Sequence, residues 1–205
     1  LKKHVFRGIE FAVTFKCNFH CTHCLCSRID ETKDFIPVRI AVLTVSDTRT
    51  LAEDKSGDTL VDRLTDAGHL LAARAIVQDD RPTIAARLRQ WIADPAIDVI
   101  LSTGGTGLTG RDVTVEAHRD VYEKEIEAFG TIFTIVSMQK IGTSAVQSRA
   151  TGGVAGGKYL FALPGSPGAC RDAWDEILKA QLDYRHRPCN FVEIMPRLEE
   201  HKRRK

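Results

Sequence analysis

The sequence lacks the features that mark several large classes of protein. No apolar run approaches the ~20 residues that a membrane-spanning helix needs, and the N-terminus lacks the charged, apolar and small-residue order of a signal peptide. Basic residues (29) exceed acidic residues (27) by only two, so the composition indicates no nucleic-acid partner, and the basic end at 201–205 is interpreted as a solvated terminus. We therefore expect a cytoplasmic protein that binds neither membranes nor nucleic acid.

The residues that are present suffice for one domain with an appendage. Hydrophobic residues make up 43% of the 205, which is enough for a buried core. Four of the six cysteines lie between Cys17 and Cys26, and in a reducing compartment we expect them to be reduced or metal-bound rather than disulfide-linked. We predict a cysteine-rich leader (1–34), a main domain (35–191) and a basic tail (192–205).

Short apolar runs and amphipathic segments alternate through the main domain. The runs at 39–45 and 97–101 predict buried strands, and 70–77 is assigned to a strand because it is short and follows a helix, although its alanines favour helix. Helical spacing predicts one helix that ends before Gly68 and another that ends before Asp94. It also predicts helical structure from 113 to 127, with further helical patterns up to 138. Gly156-Gly157 predicts a hairpin. This order predicts an α/β sandwich with a mainly parallel sheet, which binds ligands beyond the carboxyl ends of its strands.

A glycine-rich loop follows the strand at 97–101. Its sequence is Thr103-Gly104-Gly105-Thr106-Gly107-Leu108-Thr109-Gly110-Arg111-Asp112. Glycines let a ligand approach backbone N–H groups, the predicted helix from residue 113 would add its first amides, and the Gly-Lys-Ser/Thr of a P-loop does not follow. The alternative is a plain tight turn, but Arg111 suits a phosphate and Asp112 suits a divalent cation that bridges phosphates. The loop therefore predicts an anion site with a carboxylate at its edge.

Polar residues also follow the other predicted strands. Asp80 is interpreted as a helix N-cap, which leaves Asp79 as the better functional candidate. The loop with Ser46, Asp47 and Arg49 has two readings, a structural turn or a ligand contact. The segment Pro164–Ser166 at a helix start is likewise a second anion site or a structural turn.

Six segments together form a specific pattern: 35–46, 103–107, 141–144, 147–149, 163–166 and 187–191. Through these segments the chain, from 36 to 191, resembles the MoaB/MogA family of molybdenum cofactor biosynthesis proteins, and the MoaB branch most closely. Two departures are Val115, where many members have proline, and Val77-Gln78, where Ile-Pro is common in the MogA branch. The resemblance implies a three-layer α/β sandwich, a homotrimer or homohexamer, and contacts with other proteins of the same pathway.

The resemblance also implies an activity, molybdopterin adenylyltransfer. The terminal phosphate of molybdopterin would attack the α-phosphate of Mg²⁺·ATP, giving adenylyl-molybdopterin and pyrophosphate. Asp79 and Asp112 stand at the positions of the two carboxylates that the family ties to this chemistry, and would bind Mg²⁺. The alternative is a protein of the same pathway that binds or carries molybdopterin without catalysis. The residues expected to bind nucleotide or pterin are Ser46, Asp47, Thr103, Gly104, Gly105, Thr106, Gly107, Arg111, Ser144, Ser148, Arg149, Pro164, Gly165 and Ser166.

The leader carries a separate pattern, Cys-x₃-Cys-x₂-Cys at Cys17, Cys21 and Cys24. It looks like the iron–sulfur loop of radical S-adenosylmethionine enzymes, in which three thiolates hold a [4Fe–4S] cluster. Such enzymes need a barrel after this loop, whereas this chain enters another domain. We interpret the leader as a detached piece of such an enzyme, from a gene fusion or an error of gene assignment. A zinc site that adds Cys26 or His23 is the other metal reading.

Overall fold

The computed structural model describes residues 28–203, and within this range a sheet is covered by helices on both faces. The strands are β1 (Arg28–Ile29), β2 (Arg39–Val45), β3 (Leu70–Val77), β4 (Val99–Thr103), β5 (Lys124–Glu125), β6 (Thr151–Ala155), β7 (Lys158–Leu163) and β8 (His186–Arg187). The α-helices are α1 (Lys55–Asp66), α2 (Arg81–Ala93), α3 (Thr114–Arg119), α4 (Glu127–Ile141), α5 (Pro167–Ala173), α6 (Lys179–Gln181), α7 (Phe191–Ile194) and α8 (Glu200–Arg203). A π-helical turn at Trp174–Leu178 joins α5 to α6.

Six strands form the main sheet in the order β3-β2-β4-β7-β6-β5. β2 pairs in parallel with both β3 and β4, and β4 pairs in parallel with β7. β6 and β7 form the antiparallel hairpin that the sequence predicts, and its turn is Gly156-Gly157 with positive φ at both residues. The four parallel strands therefore end at one edge of the sheet, which places the loops after β2, β3, β4 and β7 side by side.

The sheet separates two apolar cores. On one face, Leu60 and Leu64 of α1, Phe133 of α4 and Trp174 pack against the sheet. On the other face, Ile84, Leu88 and Trp91 of α2 and Ala117 of α3 do the same. These two helical layers around one sheet confirm the predicted three-layer α/β sandwich.

Side-chain caps fix where the helices next to the site begin. Asp54 is fully buried and accepts a hydrogen bond from the Gly57 N–H at 2.9 Å, which starts α1. Asp80 accepts one from the Thr83 N–H at 3.0 Å, so its predicted role as the cap of α2 is confirmed. Each cap satisfies an amide that lacks a partner inside its helix.

The predicted continuous helix from 113 through 127 is wrong. α3 ends at Arg119, the two-residue strand β5 follows, and α4 begins at Glu127. β5 pairs with β6 at the sheet edge, so tertiary hydrogen bonding decides the conformation of a Lys-Glu pair that has no strand signal of its own.

Both ends of the described chain contact the main domain. β1, at the end of the predicted leader, pairs with β8, and Arg187 lies 3.1 Å from Asp30. At the other end, Met195 and Leu198 pack against the core, so this part of the predicted tail belongs to the folded domain. The predicted cysteine site at Cys17, Cys21 and Cys24 lies outside the described residues. No helix between residues 28 and 203 is long and apolar enough to cross a membrane.

Candidate functional site

A cleft of about 510 Å³ lies at the edge where the parallel strands end. Loops after four strands line it, as the topology predicts. Its walls are formed by Val45, Ser46, Asp47, Thr48, Arg49, Asp79, Gly104, Gly105, Thr106, Gly107, Asp112, Gln147, Ser148, Arg149, Pro164, Gly165 and Ser166. Most of the residues expected to bind nucleotide or pterin are therefore in one place.

The glycine loop tolerates no side chain at its first two glycines. Gly104 has φ +99°, and a Cβ there would lie 2.3 Å from the Val45 carbonyl oxygen. Gly105 has φ +61°, and a Cβ there would lie 2.4 Å from Thr114 Oγ1. Both positions combine a left-handed backbone with close contact, so the loop needs glycine for conformation and for space.

Asp79 faces this loop with a carboxylate oxygen that has no protein partner. Its Oδ1 is buried and accepts no hydrogen bond from residues 28–203. Burial raises the pKa of Asp79; the nearby Val113 N–H opposes this shift, and the charges of Asp112 and Asp47 add to it. A buried, unpaired carboxylate oxygen is costly unless a cation or a donor completes it.

Asp112 is held by its own loop. The Thr109 N–H and hydroxyl donate hydrogen bonds to Asp112 Oδ2 at 2.9 and 2.6 Å. The Thr109 hydroxyl is the main cause that lowers the pKa of Asp112, so this carboxylate is fixed and ionised. The two candidate carboxylates thus have opposite environments.

Two of the arginines near the cleft are neutralised by carboxylates. Arg111 pairs with Asp47, and its side chain is 74% exposed. Arg149 donates two hydrogen bonds to Glu116, at 2.9 and 2.8 Å, and a third to the Thr106 carbonyl at 3.0 Å. Phosphate binding by Arg149, which the sequence predicts, would have to share or break the pair with Glu116.

Three predicted residues lie apart from the cleft walls. Thr103 is buried, and its hydroxyl donates to the Pro164 carbonyl at 3.0 Å, so it supports the loop from below. Ser144 lies in the exposed 3₁₀ turn Gly142–Gln147, and only the end of that turn reaches the cleft. Arg111 contacts Asp47 at the rim but does not itself line the cleft.

Val45, Thr48 and Gln147 line the cleft without having been predicted as site residues. Arg49, which the sequence leaves between a structural turn and a ligand contact, lines it too. The signal for Arg49 was its place in a polar loop at the carboxyl end of β2. Its contact with Gly165, 116 residues later, is not visible in sequence.

Metal binding would rest on Asp79 and Asp112. No cluster of three or more His, Cys, Asp or Glu suited to a metal ion occurs in residues 28–203. Two carboxylates are a suitable protein contribution for Mg²⁺, which takes its other ligands from water and from substrate phosphates.

Comparison with known proteins gives the family. A family profile described as "Probable molybdopterin binding domain" matches residues 41–184. Molybdenum cofactor biosynthesis protein B of Escherichia coli K12 is 49% identical over 158 residues, which cover 77% of this chain and 93% of that protein. A crystal structure of molybdenum cofactor biosynthesis protein B has a TM-score of 0.74 at 38% identity, over 82% of this chain and 99% of that one. The tungsten cofactor synthesizing protein MoaB from Pyrococcus furiosus has a TM-score of 0.63 at 30% identity, over 82% and 98%. The chain therefore belongs to the MoaB/MogA family of molybdenum cofactor biosynthesis proteins.

Proposed function

We propose that this chain is a molybdopterin adenylyltransferase that uses Mg²⁺·ATP. The observation that carries the proposal is Asp79 Oδ1, a buried carboxylate oxygen without a partner, facing a glycine loop that also contains the fixed carboxylate of Asp112. This arrangement suits a metal-bound polyphosphate, because the loop offers backbone N–H groups and the carboxylates offer hard oxygen ligands.

The residues present fit Mg²⁺. Asp79 and Asp112 would hold it, and once bound it would neutralise charge on the nucleotide phosphates. Without a cation, the carboxylates of Asp79 and Asp112 would repel a free polyphosphate, so the site favours the metal complex over bare ATP.

The reaction is a displacement at the α-phosphorus of ATP. A terminal phosphate oxygen of molybdopterin forms the new P–O bond, the bond to the bridging oxygen of the β-phosphate breaks, and pyrophosphate leaves with that electron pair. No general base is needed, because a phosphate monoester is largely dianionic at neutral pH. The contributions of Gly104–Gly107, Ser148 and Ser166 are to position the two substrates, which is the main part of catalysis in phosphoryl transfer.

Arg149 has a supporting part in this scheme. Its hydrogen bonds to the Thr106 carbonyl and to Glu116 tie the glycine loop to α3. These hydrogen bonds restrain the loop before substrate binds, which lowers the entropy cost of holding phosphate.

Anaerobic incubation with molybdopterin and Mg²⁺·ATP tests the proposal. We expect pyrophosphate release that requires molybdopterin, together with a pterin product that carries AMP. The Asp175→Asn variant, altered in a surface pair with Arg63, is the matched control and should keep full turnover. Tight molybdopterin binding with no pyrophosphate would reject the enzyme and support the carrier protein.

A further inference from the structure

Arg49 differs from the other arginines at the cleft. Its Nη1 donates to the Gly165 carbonyl at 3.3 Å and to Ser56 Oγ at 3.2 Å. Both acceptors are neutral, and no carboxylate pairs with Arg49 within residues 28–203. Its Nε and Nη2 make no hydrogen bond to the described part of the chain. The guanidinium therefore keeps its full charge and free donors at the cleft wall.

The side-chain hydroxyl that accepts a hydrogen bond from Arg49 belongs to a buried residue. Ser56 is fully buried and donates to Asp54 Oδ1 at 3.2 Å, and Asp54 is in turn paired with Arg74 at 3.0 Å. Ser56 Oγ is thus held in place to accept from Arg49. A guanidinium anchored at one nitrogen presents its other donors in a defined direction, which suits bidentate contact with phosphate.

Arg49 and the two carboxylates lie next to different residues of the cleft wall. A Cβ on Gly165, whose carbonyl accepts from Arg49, would lie 3.0 Å from the Gly104 Cα. Asp79 and Asp112 instead face Gly105 and Gly107, each with a carboxylate oxygen 2.7 Å from the position of a Cβ. The loop therefore meets the segment that Arg49 contacts at Gly104, and it meets the two carboxylates at Gly105 and Gly107, its carboxylate end.

The two substrate phosphates need different partners. Nucleotide phosphates arrive with Mg²⁺ and fit the carboxylate end. The pterin monophosphate carries between one and two negative charges near pH 7 and brings no metal, so it needs a cation from the protein. Arg49 meets that need, whereas the charge of Arg149 is already balanced by Glu116.

We propose that Arg49 is the residue that binds the terminal phosphate of the pterin substrate and selects the phosphorylated pterin. This assignment rests on the proposed function for the identity of the ligand. It does not require that the chain turn over ATP.

The test compares molybdopterin with phosphatase-treated molybdopterin, by anaerobic titration calorimetry on the full chain. We expect the wild type to bind the phosphorylated form about 10- to 100-fold more tightly, the range of a charge-assisted hydrogen bond. Arg49→Gln should bind both forms with the weaker affinity, and Arg49→Lys should recover part of the preference. Binding of Mg²⁺·ATP should not change in either variant.

Arg63→Gln is the control, because it removes an arginine charge from α1 that Asp175 neutralises at the surface. It should behave as the wild type. An Arg49→Gln variant that keeps the preference, a wild type that shows none, or a loss confined to Mg²⁺·ATP would overturn the assignment. Absence of pyrophosphate release with the phosphate preference intact would instead reject adenylyltransfer and leave the assignment of Arg49 standing.

Discussion

Gly105 and Asp79 are so close that a Cβ atom on the glycine would lie 2.7 Å from Asp79 Oδ1. The same Cβ would lie 2.4 Å from Thr114 Oγ1, and neither oxygen has a hydrogen-bond partner in residues 28–203. The backbone of the loop therefore fits against two buried polar atoms. A methyl group at this position would displace one of them or move the loop.

Gly105→Ala is expected to damage the site more than the fold. The positive φ of +61° should cost a non-glycine residue about 1–2 kcal/mol of unfolding free energy, and urea titration of the variant would test this. Displacement of Asp79 should also abolish detectable Mg²⁺·ATP binding in calorimetry. Gly110→Ala is the matched control, since a Cβ there meets nothing within 4 Å. Equal behaviour of the two variants would show that the contact with Asp79 is unimportant.

Two of the strands that position this site, β2 and β4, could be predicted because they are buried on both faces. β2 occupies 39–45 as predicted, since a β-branched run in the middle of a parallel sheet has no competing helical signal. β3 is also a strand, although its alanines favour helix, because every residue except Ala72 pairs with β2. β5 could not be predicted, because its two residues are defined by pairing with β6 alone.

The site was predictable to the extent that its residues lie directly after strands. Asp79 and Gly104 follow β3 and β4, so topology brings them together. The pairing of Arg149 with Glu116, and the contact of Arg49 with Gly165, depend on side-chain packing between distant segments. A sequence shows that an arginine is present but not whether a carboxylate already neutralises it.

Asp112→Asn should keep the fold and the affinity for pterin but lose turnover. One amide oxygen can still accept from Thr109, while the negative charge that would hold Mg²⁺ is gone. We expect a fall in pyrophosphate release on the order of 100-fold, as for loss of one electrostatic group in a preorganised site. Unchanged turnover, with Asp175→Asn as the reference, would remove Asp112 from the mechanism.

Neutralising Asp79 and neutralising Asp112 should change the free energy of unfolding in opposite directions. The raised pKa of Asp79 means that its ion destabilises the folded state at neutral pH, so Asp79→Asn should raise the free energy of unfolding there. That gain should shrink as the pH falls through the folded pKa, and should vanish below 3.8, the ordinary pKa of an aspartate side chain.

Asp112 behaves in the reverse way. Its lowered pKa means that its ion stabilises the folded state above the unfolded value, and this stability is lost as the pH falls through the folded pKa. Asp112→Asn should therefore be less stable than the wild type at pH 7 and approach it in acid. Thermal melts of both variants between pH 7 and 3 measure the two trends, and trends of the same sign would contradict the environments described for the pair.

The Arg149 pair with Glu116 should stabilise the loop by a modest amount. Both side chains are about one-third exposed, at 31% and 34%, so solvent screening limits the bidentate pair to about 1 kcal/mol of unfolding free energy. Arg149→Met should lose this free energy of unfolding. It should also weaken Mg²⁺·ATP binding, because the Thr106 carbonyl loses its hydrogen bond from Arg149. Arg63→Met is the control, because it breaks a bidentate pair with Asp175, which is not among the residues that line the cleft. A variant that loses stability but binds nucleotide normally would show that the pair of Arg149 with Glu116 does not support nucleotide binding.

An apolar stripe on α4 should mediate the expected assembly into a trimer or hexamer. Ile132, Ile135, Met138 and Ile141 recur at every third position and are 46–61% exposed. Apolar side chains exposed in such a row are typical of protein interfaces, and a glutamate among them would be buried without a partner. Ile135→Glu should therefore reduce the mass measured by light scattering to that of a protomer at micromolar concentration. Ile194→Glu, at a position 45% exposed on α7, should leave the assembly intact. An Ile135→Glu protein with the wild-type mass would place the interface on another surface.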